Sequence, residues 1–125
     1  NAGAAAARGS MVLFMDCDCL PADRNFLLVH ISALASGAVA SCGRVAGIGG
    51  SFWDRFQTDS SMRRERQHDI NGGLSGTSSN LAVLHIEFEA IGGFDTGYRR
   101  YGFEDRDLLI RLAKRGSIAW TIAAR

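Results

Sequence analysis

The run Met11-Val12-Leu13-Phe14-Met15 is the feature that most limits how this chain can fold. Five apolar residues without polar alternation predict a strand covered on both faces, the pattern of an inner strand in a parallel sheet. Asp16-Cys17-Asp18-Cys19-Leu20-Pro21 follows directly, and Pro21 ends any strand pairing. In open α/β sheets, ligands gather beyond the carboxyl ends of the strands, where Asp16 and Asp18 are expected. Two adjacent carboxylates that both stay ionised repel each other. A hard divalent cation such as Mg2+ or Mn2+ would relieve that repulsion and suits all-oxygen ligands. The plainer reading makes both aspartates solvated caps of the next turn.

Composition sets the outer limits. A chain of 125 residues supports one domain with a real core, and an apolar share of 46% is ordinary for a globular protein. A formal charge of +1 argues against a nucleic-acid binder that works by neutralising phosphates. No apolar run reaches the length of a membrane span, and the alanine-rich start lacks the apolar centre of a signal peptide. Membrane association is therefore expected only through regions outside 1–125. Three cysteines do not make a disulfide framework, which tilts the expected compartment to the cytoplasm or the cytoplasmic face of a membrane. The spacing of Cys17, Cys19 and Cys42 fits no zinc pattern, so buried thiols are expected. If the first strand continued through them, Cys17 and Cys19 would face away from Asp16 and Asp18.

Along the chain, Asn1 to Arg8 reads as helix stopped by Gly9-Ser10. Asp23 to Ala35 carries Phe26, Leu27, Ile31 and Leu34 at helical spacing, which predicts one buried face. Val39 to Val45 and Asn80 to Leu84 read as strands. Between them, 51–76 is too polar for core and too long for a plain connector, so a mobile active-site loop is expected there. Its basic run, Arg63-Arg64-Glu65-Arg66, is either a solvated face or a contact for a phosphate or an acidic sugar. A short helix with Ile86, Phe88 and Ile91 ends at Gly92-Gly93. The last helix buries Leu108, Leu109 and Leu112 and closes at Gly116, before a strand from Ile118 to Ala123.

A second acidic group, Glu104, Asp105 and Asp107, falls in the first turn of that last helix. Each carboxylate there complements the helix dipole by a few tenths of a kcal/mol up to about one, and that suffices for Asp107. Glu104 and Asp105 also follow a loop, Tyr98 to Gly102, whose glycine and tyrosines, Tyr101 among them, bring backbone and aromatic surface close to a ligand. A carboxylate on a rigid helix start is well placed to take a proton from a substrate hydroxyl.

Four blocks, Leu13 to Pro21, Ser79 to Val83, Ile91-Gly92-Gly93-Phe94-Asp95 and Gly102-Phe103-Glu104-Asp105-Arg106-Asp107-Leu108, together resemble nucleotide-sugar glycosyltransferases. The resemblance is to family 2 and the related galactosyltransferase C-terminal domain, both of the GT-A fold. It implies an α/β domain, Rossmann-like, with a mostly parallel sheet flanked by helices. Asp16 and Asp18 match the DxD motif, which implies Mn2+ or Mg2+ held mainly by Asp18 and a nucleotide-sugar donor, with a UDP-sugar expected. Asp105 then matches the general base and Glu104 an acceptor contact. Gly102 and Tyr101 belong to the substrate side, and Asn80 shapes the acceptor side. The implied reaction is single displacement with inversion onto a saccharide hydroxyl. His85 stands where the family often has a basic residue, and it reads as an ordinary helix start. The family's nucleotide-binding half is absent, so 1–125 is expected to be the acceptor-side portion of a catalytic domain and inactive alone. The reading requires the two acidic clusters to face one cleft from opposite sides.

Two rival readings remain at this level. Asp16-x-Asp18 after a buried strand also resembles haloacid dehalogenase phosphatases, with Asp16 as nucleophile, but only in that block. A non-catalytic or truncated sugar-binding fragment is the other. A calcium loop is excluded, because Pro21 and Leu27 stand where its glycine and glutamate belong.

Overall fold

The computed structural model describes residues 1–99 and 102–122. Among the described residues, five helices and four strands follow one another along the chain: α1 (Ala2–Ala6), β1 (Met11–Met15), α2 (Phe26–Ala35), β2 (Ala40–Gly43), α3 (Phe52–His68), β3 (Asn80–Leu84), α4 (His85–Ala90), α5 (Glu104–Ala113) and β4 (Ile118–Thr121). The α/β class is as expected. The sheet is mixed, in the order β1-β3-β2-β4.

The mostly parallel sheet is corrected. β3 pairs antiparallel with both β1 and β2, and only β2 and β4 run parallel. β1 is an edge strand, not an inner one. Its unbroken apolar run has a different cause: Val12 and Phe14 pack into one apolar cluster, while Met11 and Leu13 pack into another on the opposite face. Coverage of both faces removes the alternation, but it says nothing about the direction of the neighbouring strand. The first cluster is the larger. It joins Cys42, Leu81, Val83 and Ile118 to Ala4 of α1, Phe88 of α4 and the fully buried Leu108, Leu109 and Leu112 of α5. Phe14, Phe88 and Phe94 meet there with ring centroids 5.2 to 5.9 Å apart.

Three local expectations change as well. On α2 the buried residues are Phe26, His30 and Leu34, spaced by one turn each, while Leu27 and Ile31 are exposed. Most of 51–76 is helix, not loop. Ser51 and Asp54 form a capping box that satisfies backbone donors at the start of α3, and Asp54 is held below the usual carboxylate range by its bonds to Ser51. With so few apolar residues α3 carries no hydrophobic stripe to announce it. Of the thiols only Cys42 is buried; Cys17 is exposed and Cys19 half-buried.

The sheet also contains a buried polar seam on its α2 face. His30 bonds through Nδ1 to Ser41 Oγ and through Nε2 to Asn80 Oδ1, both at 2.9 Å. Ser41 Oγ lies 3.3 Å from Thr121 Oγ1, which donates to the Cys42 carbonyl. Asn80 Nδ2 donates to the Arg44 carbonyl. Four elements are thereby joined by groups that are costly to bury singly.

Burial lowers the pKa of His30, with the Asn80 bond opposing that shift in part. The folded state therefore binds fewer protons than the unfolded chain just below the unfolded value of about 6.5. The stability from keeping His30 neutral is present above that pH and is lost as pH falls toward the folded value. Urea unfolding between pH 7.5 and 5 should show a falling midpoint, and His30→Gln should flatten that slope while lowering stability at neutral pH.

Gly76 lies so close to β2 that a Cβ there would stand 2.1 Å from Cys42 Sγ. Gly76→Ala should cost about 1–3 kcal/mol by overpacking. Adding Cys42→Ala should recover part of that loss in the same denaturation assay, because the obstructing atom is gone.

Candidate active site at one end of the sheet

Because β1 and β2 both run opposite to β3, and β4 runs with β2, the carboxyl ends of β1, β2 and β4 share one end of the sheet with the start of β3. Asp16 follows β1 there, Arg44 follows β2, and Thr77 to Asn80 lead into β3. This is the end at which α/β sheets hold ligands.

β1 stops at Met15, and Asp16 to Cys19 form a turn in which the Cys19 amide donates to the Asp16 carbonyl. Asp16 and Asp18 are exposed. Because the strand does not continue, Cys19 does not face away from them. One ligand atom from each of Asp16, Asp18 and Cys19 lies within 4.8 Å of the others. Ligands on opposite sides of one ion stand about 4–5 Å apart, twice a metal–oxygen distance, so these donors fit a single divalent cation. Burial, then the Asp16 and Asp18 charges, raise the Cys19 thiol pKa. A raised thiol pKa disfavours the thiolate that a metal needs, so the two carboxylates are the better ligands.

Of the second acidic group, Asp105 borders a different feature, and Glu104 and Asp107 are not among its lining residues. A cleft of about 320 Å³ is lined by Arg64, Gln67, Asn71, Leu74, Ser75, Gly76, Thr77, Phe103, Asp105 and Arg106. Arg64, Gln67 and Asn71, at helical spacing, form the wall from α3 and the turn after it, and the ion pair between Arg44 and Glu65 ties that helix to the end of β2. Asn71 holds its own turn through Ser75 Oγ and the Leu74 amide. The opposite wall is the start of α5. Asp105 is half-buried and close enough to Cys42 that its charge reinforces burial in pushing that thiol up to about 12. Glu104 accepts from the Gly102 amide at 2.8 Å, so one carboxylate oxygen is bonded to the backbone that leads into its helix. Asp107 pairs with Arg111, whose guanidinium also donates to the Ile91 and Gly93 carbonyls; that structural role matches expectation.

Gly102, at φ +112°, and Phe103, at φ +74°, enter α5 in the left-handed region. Phe103 is 76% exposed at the mouth of the cleft. A non-glycine residue held there stores about 1–3 kcal/mol, a cost that recurs at ligand sites.

Asp16 and Asp18 do not line the cleft that Asp105 lines. The two clusters share an end of the sheet, and the single cavity expected between them is not formed by these walls. Asn80 is buried in the polar seam. Tyr101 lies outside the described residues. His85 begins α4, bonds the Gly9 carbonyl through Nδ1 and stands 3.7 Å from Glu89, away from the cleft. The residues that sequence reasoning missed are Gln67, Asn71 and Thr77, which no motif marks. The capping box at Ser51 and Asp54 was the available signal that a rigid wall stands here.

Residues 76–119 match the family model described as the N-terminal domain of galactosyltransferase. The matched block contains the Asn80 strand, the Gly92-Gly93-Phe94-Asp95 corner and the Glu104-Asp105 pair, and it leaves out Asp16 and Asp18. The glycosyltransferase resemblance is borne out over that block. The description names the N-terminal domain where the motif blocks resemble the C-terminal one; the enzyme class is the same. No match is found among curated proteins. The match points to sugar transfer in general and to an enzyme family of that type. No helix among the described residues is long and apolar enough to cross a membrane.

The strain at Phe103 is open to test. Phe103→Gly should leave stability unchanged or raise it by up to about 1 kcal/mol, since little packing is lost and the backbone is relieved. Phe103→Ala keeps the strain and should bring no gain. Denaturant titration of both variants separates the two cases.

Proposed function

We propose that the chain is the acceptor-side part of a GT-A glycosyltransferase catalytic domain, which moves a sugar from a nucleotide diphosphate to a saccharide hydroxyl with inversion. The observation that carries this is Asp105, inside the family-matched block: a half-buried carboxylate on the first turn of a well-packed helix, opening onto a polar cleft. The acceptor hydroxyl would lie in that cleft. Its oxygen attacks the anomeric carbon, the bond to the diphosphate oxygen breaks, and the hydroxyl proton passes to Asp105. Glu104 orients the acceptor with the carboxylate oxygen not engaged by Gly102. With Asp105 acting as base and not as nucleophile, one displacement inverts the anomeric centre.

Asp18 and Asp16 would hold Mn2+ or Mg2+, with UDP as the expected nucleotide. The ion would supply charge neutralisation for the leaving diphosphate. The two aspartates contribute exposed, closely spaced oxygens at the ligand end of the sheet. Direct transfer requires the metal side and the base side to meet in one cleft of the complete catalytic domain, and because the two groups have different roles the two substitutions should fail differently.

Turnover and UDP binding are measured on the full reading frame that carries this chain. Asp105→Asn should leave Mn2+-dependent UDP affinity nearly intact and cut transfer by about 10² to 10⁴, the worth of a positioned base. Asp18→Asn should weaken metal-dependent UDP binding. Equal donor affinity in the Asp18 variant would remove the metal role, and full turnover in the Asp105 variant would remove the base.

A further inference from the structure

The cleft beside Asp105 holds more positive charge than a neutral sugar needs. Arg64 enters from α3 and Arg106 from α5, and both line the same cavity as Asp105. Of the other arginines on or beside these helices, Arg44 pairs with Glu65, Arg111 with Asp107, Arg115 with Glu87, and Arg63 donates to Ser60, while Arg55 and Arg66 do not line the cavity. Among the described residues Arg64 and Arg106 have no ion-pair or hydrogen-bond partner, and neither does Asp105.

Among the described residues that line it, two guanidinium groups and one carboxylate leave a net charge of +1 in a cleft of about 320 Å³. That balance matches a monoanion. A diphosphate, with at least two charges, would meet the Asp105 carboxylate and be left short of compensation. A planar carboxylate suits the fork of a guanidinium, and uncharged donors and acceptors from Gln67 and Thr77 remain for ring hydroxyls. The exposed Phe103 ring at the mouth offers an apolar face for the less polar side of a pyranose.

We infer that the acceptor is a uronic acid, a saccharide whose terminal residue carries a carboxylate that Arg64 and Arg106 hold while Asp105 faces its hydroxyl. This rests on the glycosyltransferase reading and deepens it: the arginines select the acceptor, and Asp105 acts on it.

The test is titration of the isotopically labelled chain, followed by amide resonances, with a glucuronate-terminated disaccharide and its glucose-terminated counterpart, which differ only in the carboxylate. The uronate should shift Gly76, Thr77 and Asp105 and bind about tenfold more tightly than the neutral sugar, the scale of one charge-assisted hydrogen bond. That preference should shrink as salt is raised. Arg64→Gln and Arg106→Gln should bring the two affinities together. Equal binding of both sugars by the unaltered chain overturns the inference and leaves the transferase reading standing. Binding of neither removes the acceptor side of that reading too. Shifts of the same amides by UDP, in competition with the uronate, would make the cleft a donor site and overturn the inference.

Discussion

Everything positioned in this molecule depends on β3 pairing antiparallel with two strands at once. β1 and β2 cannot be neighbours while β3 lies between them, and its direction makes them point the same way. Leu81, Ala82 and Val83 are fully buried because both faces of this strand are covered, by α5 and α4 on one side and α2 on the other. Register then follows: Met15 stands opposite Asn80, and Cys42 opposite Leu81. The turn bearing Asp16 and Asp18 and the cleft bearing Asp105 are thus fixed to one end of one sheet by backbone hydrogen bonds. A one-residue slip would exchange the two faces and destroy both apolar clusters.

The polar seam under the sheet adds a different kind of constraint. His30, Ser41, Asn80 and Thr121 would each carry a desolvation cost if buried without partners. Together they satisfy one another, which ties α2 to the two central strands and to β4. Apolar packing tolerates substitution and small rotations; a hydrogen-bonded chain of this sort does not. The start of β3 is consequently held in place through the Asn80 side chain, only a few residues after Gly76 and Thr77 at the cleft.

The cleft lies between the end of α3 and the start of α5, two helices that begin in opposite ways. α3 begins with a relaxed capping box and is fastened to β2 by Arg44 and Glu65. α5 begins through Gly102 and a left-handed Phe103, with Glu104 bonded back to the Gly102 amide. The strain is local, and the three buried leucines of α5 together with the Arg111 clamp on the Gly93 corner are what sustain it. Asp105 is held rigidly by this packing while its carboxylate stays accessible, the combination a proton acceptor requires.

Much of this was legible in the amino-acid sequence. The strands at Met11–Met15 and Asn80–Leu84, the leucine stripe of α5 and the Glu104-Asp105 pair all follow from local runs and spacing, because burial on both faces and helical periodicity are properties of neighbouring residues. The capping box of α3 was equally local and was hidden only by the lack of an apolar stripe. Strand direction and order were not legible: an apolar run records how well a strand is covered and carries no mark of which neighbour it pairs with. Nor could spacing show that Arg64 and Asp105, far apart in the chain, line one cavity, or that the cavity stops short of Asp16 and Asp18. Those facts arise from contacts distant in sequence, and only the folded sheet decides them.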